Sequence, residues 1–495
     1  MKTLETLNFS NSFSRRLSEG FYARLAPTPL QDSHLIAFNP QAAKLVDLHP
    51  EQAQRPEFVH YFGGHQPLPG SDPLAMLYSG HQFGHYVPQL GDGRAILLGE
   101  VTNREGQRWE LQLKGAGITP FSRRGDGRAV LRSTIREYLC SEAMHALDIP
   151  TTRALCMTGS EEEVYRERIE KGAMLVRMAP THVRFGSFEV FYHRSQFERI
   201  QQLADFVIEH HYPHLLEQQG RYLELFREVN RRTAELISQW QQVGFAHGVM
   251  NTDNMSILGL TLDYGPFGFL DDYNPGFICN HSDYSGRYAF DRQPRIGRWN
   301  LSCLGQAMLP LFEGEPEEAA AQANAVLDEY EPHFHRHYAQ GMRRKLGLST
   351  REENDHELLV ELLSLMQGSA IDYTRFFRAL ADFDSSKGAK NSALRDQFID
   401  RGAFDAWAGR YAARLRREGS PDAERREAMN RVNPKYILRN YLAQQAIDKA
   451  ETGDYSEIEN LHRILQKPFD EQPEYEAYAE APPDWGKTLE ISCSS

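Results

Sequence analysis

Between residues 95 and 114 short apolar runs alternate with polar positions at a period near two. Ala95–Val101 and Arg108–Lys114 read as strands, and the six residues Thr102 to Gln107 carry the polar and glycine content of a hairpin turn. A helix is expected over Arg132–Leu147, closed by Asp148-Ile149-Pro150, because proline cannot continue it. Apolar runs at Ala154–Met157 and Ala173–Met178 predict further strands, so the first third reads as a sheet with one helix. From about residue 195 the period changes to 3.6. Leu225, Val229, Leu236, Ile237 and Trp240 fall on one face of a helix that runs into the segment His247–Asn254. Residues 340–470 read as mostly helical and heavily charged, followed by a polar, Pro-rich stretch over 471–485 and a short tail.

Composition narrows the class without deciding it. The chain has 495 residues, 41% of them hydrophobic and 25% charged, an ordinary globular balance with room for two or three domains. The net charge of −13 disfavours sequence-independent nucleic-acid binding, which needs clustered Lys and Arg. No apolar stretch reaches the ~20 residues a membrane helix needs, and the N-terminus lacks a signal-peptide core. The expectation is a soluble cytoplasmic protein that binds neither nucleic acid nor membrane. Five scattered cysteines without a CxxC pair signal neither a disulfide framework nor a zinc site.

Four elements carry the chemistry. Gly91-Asp92-Gly93-Arg94 is a glycine-bearing turn before a strand, where backbone N–H groups can approach phosphate oxygens. Lys114, about 20 residues on, stands at a strand end, where kinases place the lysine that holds nucleotide phosphates. Glu137, in the middle of the following helix, is its candidate partner. His247 and Asn254 reproduce the spacing between the His and the metal-binding Asn of a kinase catalytic loop. Asp263-Tyr264-Gly265 stands nine residues later, in the place of the metal-binding Asp-Phe-Gly. Asn and Asp oxygens are suitable hard ligands for Mg²⁺. Taken singly, Lys114 also reads as a solvated strand end and Glu137 as a surface helix charge.

The departure from the kinase pattern is informative. Two residues after His247, where a kinase has its catalytic Asp, stands Val249. Valine cannot accept a hydroxyl proton, so ordinary phosphoryl transfer lacks its base. Asp253 is the nearest carboxylate able to substitute, with a metal ligand or a turn residue as its other readings.

Several longer stretches resemble the selenoprotein O family, pseudokinases that act as protein adenylyltransferases. They are Gly80-His81-Gln82-Phe83-Gly84, Lys114-Gly115-Ala116-Gly117, Arg123-Arg124-Gly125-Asp126-Gly127-Arg128, Asn251-Thr252-Asp253-Asn254 and Asp271-Asp272-Tyr273-Asn274-Pro275. The resemblance implies ATP bound in an inverted orientation, with its α-phosphate open to a Ser, Thr or Tyr hydroxyl of a protein substrate. It implies nucleotide contacts from Gly91, Gly93 and Arg94, and phosphate contacts from Lys114, Arg177 and Arg184. Asp126 and Gly127 would help place the adenosine end, and Glu137 would pair with Lys114. Asn254 and Asp263 would hold Mg²⁺ or Mn²⁺, with Asp263 also at the nucleotide, and Asp253 would accept the proton. Near the C-terminus it implies a redox role for Cys493, with Cys279 as the candidate disulfide partner.

The expected architecture is α+β, a protein-kinase-like two-lobed fold with an added helical region. Residues 1–180 would form an N-terminal lobe with an N-terminal extension, 181–340 the C-terminal lobe, and 341–495 the helical region with its cysteine-bearing tail. AMP transfer competes with UMP transfer from UTP under manganese, with a phosphotransferase whose base has moved, and with an inactive ATP-binding scaffold. His81 and His85, and the group His333, His335 and His337, read as surface histidines.

Overall fold

The computed structural model describes residues 1–492 and is a mixed α+β structure. Its sheet uses β1 (Tyr22–Arg24), β2 (His34–Phe38), β3 (Leu74–Met76), β6 (Ala95–Thr102), β7 (Arg108–Lys114), β8 (Ala129–Val130), β9 (Arg153–Tyr165) and β10 (Ile169–Ala179). The order is β1-β3-β6-β7-β10-β9-β2, with β8 on β10, while β4 (Gly80–Gln82) and β5 (His85–Val87) form a separate hairpin. The 95–114 hairpin predicted above is present, with Thr102 opposite Arg108 and Ala95 opposite Lys114.

The period of two assigns the faces of the sheet. Ile96, Leu98, Leu111, Leu113, Met174, Val176 and Met178 enter one core, with Ala42, Ala43, Phe58 and Phe62 from short helices. Leu97, Ala173 and Leu175 enter the other, with Ile135 and Leu139. Gln112 and Lys114 alternate with Leu111 and Leu113, so they lie on this second face, and Arg177 is placed directly opposite Gln112.

The short helices correct one expectation. The first third holds more than one helix: α1 (Ser12–Arg16), α2 (Pro40–Lys44) and α3 (Pro56–Phe62) precede α4 (Leu131–Ala146). Each is two turns or less, too short to show a 3.6 period, and two of them start on a proline at the first helical position. The strands at Ala154–Met157 and Ala173–Met178 are also longer than their apolar runs, because their outer ends extend as an exposed ribbon.

Beyond the sheet follow α5 (Phe185–His193), α6 (Phe197–His211), α7 (Arg221–Val243) and α8 (Gln293–Met308). All five residues of the predicted apolar stripe on α7 are buried. A separate core forms among later helices around Phe376, Phe377, Phe404, Trp407 and Tyr411. Lys345 is buried beside it, its ammonium 4.5 Å from the Phe377 ring centre and 5.4 Å from that of Tyr373. Arg439 pairs with Asp271 and, at 2.9 Å, with Asp372, joining the segment after the Asp263 turn to the C-terminal helices. No helix among the described residues is long and apolar enough to cross a membrane.

Candidate active site

A cleft of about 750 Å³ opens beneath the sheet, within the size range of small-molecule sites. Gly91, Gly93, Arg94, Lys114, Asp126, Gly127, Arg177, Arg184, Asp253, Asn254 and Asp263 all line it, as does Val249. Glu137 stands behind Lys114, which donates to it. The structure thus brings together residues spread over 170 positions of sequence.

Each wall has a local cause. At Gly91 φ is +97°, and a Cβ would lie 2.7 Å from Phe121 Cγ and 2.9 Å from the Met76 carbonyl. The turn is therefore closed by neighbouring chain as well as open to a ligand. Thr119 donates its hydroxyl to the Asp92 carbonyl at 2.6 Å, and Ser122 donates to that of Gly93, so segment 119–125 folds onto the turn. Asp92 is buried and accepts from the Met76 amide and the Gln112 side chain, each at 3.0 Å. Asp126 accepts from the Arg128 amide at 2.9 Å and from both Arg166 guanidinium ends, at 2.7 and 2.9 Å.

The floor is a buried ionic cluster. Glu137 takes Lys114 and, at 3.2 Å, Arg177. Asp263 takes Arg177 on one oxygen and Arg184 on the other, with Lys114 at 3.9 Å. Three cations face two carboxylates, leaving a positive excess suited to a polyanion. Arg184 immediately precedes α5, lies 4.6 Å over the Tyr78 ring centre, and donates to the Asp253 carbonyl at 2.7 Å. Burial alone would raise the Asp263 pKa, but Arg177, Arg184 and Lys114 hold it well below the usual carboxylate range. Its backbone is in the left-handed region, φ +58°, a conformation that Asp tolerates and that its arginine partners hold.

Opposite this cluster runs the segment His247–Asn254. His247 is buried, stacks on Trp240 and donates Nε2–H to the Leu262 carbonyl at 2.9 Å, which ties the loop to the Asp263 turn. Asn254 donates its amide N–H to the Val249 carbonyl at 3.0 Å; this fixes the carboxamide and reserves its oxygen as an acceptor. Asp253 is buried. Gln82 donates to its Oδ2 at 3.2 Å, while Oδ1 has no hydrogen-bond partner among the described residues. Burial pushes its pKa up to about 7, against the opposing pull of Gln82 and Arg184. The donor set of Asn254 and Asp263 is all oxygen, which fits Mg²⁺ or Mn²⁺.

The sequence did not reveal Gln82, Asp92, Gln112, Tyr78, Phe121 or Arg166 as parts of this site. Gln82 and Asp92 had a local signal, their places within Gly80-His81-Gln82-Phe83-Gly84 and Gly91-Asp92-Gly93-Arg94. The β4–β5 hairpin carries Gln82 there, and at Gly80 a Cβ would lie 2.6 Å from Asp253 Oδ1, so only glycine admits this approach. The surface reading of His81 is corrected: it is half-buried and donates to Glu189 at 2.6 Å. Cys279 is buried, its thiol 3.5 Å from the Ala246 carbonyl. The tail runs close by, where the His281 amide donates to the Ile491 carbonyl at 2.7 Å. Cys493 lies outside the described residues.

A mixed α+β protein with a cation-rich cleft that also carries the side-chain oxygens of Asn254 and Asp263 is the class these residues define. The family model described as protein adenylyltransferase SelO matches residues 3–466, and the chain belongs to that family. It is 60% identical over 495 residues to a protein nucleotidyltransferase YdiU of Myxococcus xanthus, covering 100% of both chains. It is 59% identical over 496 residues to the protein of that name from Thiobacillus denitrificans, again over 100% of each.

Proposed function

We propose that this protein transfers AMP from ATP to Ser, Thr or Tyr hydroxyls of proteins and releases pyrophosphate. The cleft would lie between two kinase-like lobes, over 1–180 and 181–340, with 341–495 bracing the second. The carrying observation is the pairing of Val249, where a kinase keeps its base, with a buried Asp253 on the cleft wall, one of whose oxygens has no hydrogen-bond partner among the described residues. The triphosphate lies inverted, its charge met by Lys114, Arg177 and Arg184, with Arg94 and the 91–93 turn at its flank and Asp126 and Gly127 toward the adenosine. The acceptor oxygen attacks the α-phosphorus, the bond to the β-phosphate oxygen breaks, and the hydroxyl proton passes to Asp253. Mg²⁺ or Mn²⁺ held by Asn254 and Asp263 supplies charge neutralisation at the phosphates.

Glu137 holds Lys114 and Arg177 in place, so it is a positioning residue. The test is incubation of the protein and an acceptor with ATP labelled at the α- or the γ-phosphate. Label retained on protein from the α position alone is expected. Label from the γ position alone would establish a phosphotransferase, and label from neither an inactive scaffold. A parallel arm with α-labelled UTP and Mn²⁺ measures the competing donor.

A further inference from the structure

A second set of ligating side chains lies on the other side of the β4–β5 hairpin from the cleft's reacting groups. Glu189 and His193 are four residues apart on α5, so they share one face of the helix. His81 reaches them from β4. Its Nδ1 is 2.6 Å from Glu189 Oε2, and the donor atoms of all three residues lie within 4.8 Å of one another. Glu189 is 1% exposed, and its Oε1 has no hydrogen-bond partner among the described residues. A buried carboxylate oxygen without a partner loses its hydration uncompensated, and no Arg or Lys among the described residues forms an ion pair with Glu189. Arg287 stacks on Trp299 instead, 4.5 Å from its ring centre.

Aromatic rings wall the group. The Tyr86 ring centre is 3.8 Å from that of His193, and Trp299 meets His81 edge-on at 5.4 Å. Such a shell lowers the local dielectric and strengthens attraction between a carboxylate and a cation.

We propose that His81, Glu189 and His193 form a binding site for Zn²⁺, separate from the nucleotide's metal. Two imidazoles and one carboxylate suit a borderline divalent ion; Mg²⁺ and Ca²⁺ prefer all-oxygen sets. Bonds of about 2.0–2.2 Å in a tetrahedral arrangement require the donors to draw slightly closer, which the exposed His193 side chain permits. The ion ties the β4–β5 hairpin to α5. That hairpin carries Gly80 and Gln82, which both approach the Asp253 carboxylate, so the site acts on the cleft by positioning.

The inference rests on geometry outside the cleft and stands whether or not the protein transfers AMP. Its test is titration of the metal-stripped, nucleotide-free full chain with Zn²⁺ against a chromophoric chelator, and with Co²⁺ followed by visible absorption. The expected result is one tight ion per chain, a tetrahedral Co²⁺ spectrum without a thiolate charge-transfer band, and a Tm raised by Zn²⁺. His193→Ala, at an exposed position, should keep the native circular dichroism yet bind at least about a hundredfold more weakly; Glu189→Gln should do the same. Asn254→Ala should bind as the parent does. Absence of tight uptake would overturn the proposal, as would uptake unchanged in both ligand variants, uptake lost with Asn254→Ala, or a thiolate band.

Discussion

Gln82 reaches across 171 positions of sequence to donate a hydrogen bond to Asp253 Oδ2 at 3.2 Å. The bond engages one oxygen of the carboxylate, while the other is buried beside Gly80 without a hydrogen-bond partner among the described residues. Asp253→Asn should therefore lower transfer from α-labelled ATP by about 10²–10⁴-fold, the usual worth of a general base, while a non-hydrolysable ATP analogue still raises Tm. Gln82→Ala should cost roughly tenfold, in line with one hydrogen bond to a charged group. Full activity in Asp253→Asn would remove it from the chemistry.

Asp263 should prove costlier to lose than a metal ligand alone. It neutralises the buried Arg177 and Arg184, and removing one partner of a buried pair costs about 3–5 kcal/mol. Asp263→Ala is expected to abolish transfer and to lower the urea midpoint clearly. An unchanged midpoint would mean that the arginines find other partners.

Glu137→Gln keeps the shape of the side chain and discards its charge. Lys114 and Arg177 then lose a common anchor. The expected outcome is a rise in KM for ATP of at least about tenfold, with a smaller fall in kcat. Steady-state kinetics over a range of ATP concentrations decide this, and the reverse pattern would place Glu137 in the chemical step.

Lys345 provides a stability test remote from the cleft. Burial pulls its pKa from 10.5 down to about 7. Between those values the unfolded chain binds a proton that the folded chain lacks, so this residue's destabilisation is full below pH 7 and fades as pH rises toward 10.5. Lys345→Met should raise Tm at pH 7, with a gain that shrinks as the pH approaches 10. A gain independent of pH would show that packing, and not charge, sets the effect.

What the sequence revealed followed the range of each interaction. The β6–β7 hairpin, α4 and the α7 stripe were legible because their periodicity lies within one segment. The Lys114–Glu137 pair was legible from a familiar order of motifs. Helices α1 to α3 were not, since two turns or less leave no period to read. His81 read as a surface residue because its partner Glu189 is 108 positions away, and only the packing of β4 on α5 joins them. Arg177 and Arg184 were picked out by resemblance, yet their shared hold on Asp263 had no trace in the spacing.

That shared hold bears on how the site fills. Both carboxylate oxygens of Asp263 are engaged by guanidinium groups, which ties β10 and the start of α5 to the Asp263 turn. On the proposed reading, a triphosphate would compete with Asp263 for Arg177 and Arg184, and a divalent ion would compete with the two arginines for Asp263. Neither guest completes that exchange of partners alone, so nucleotide and metal should be taken up cooperatively, each tightening the grip on the other.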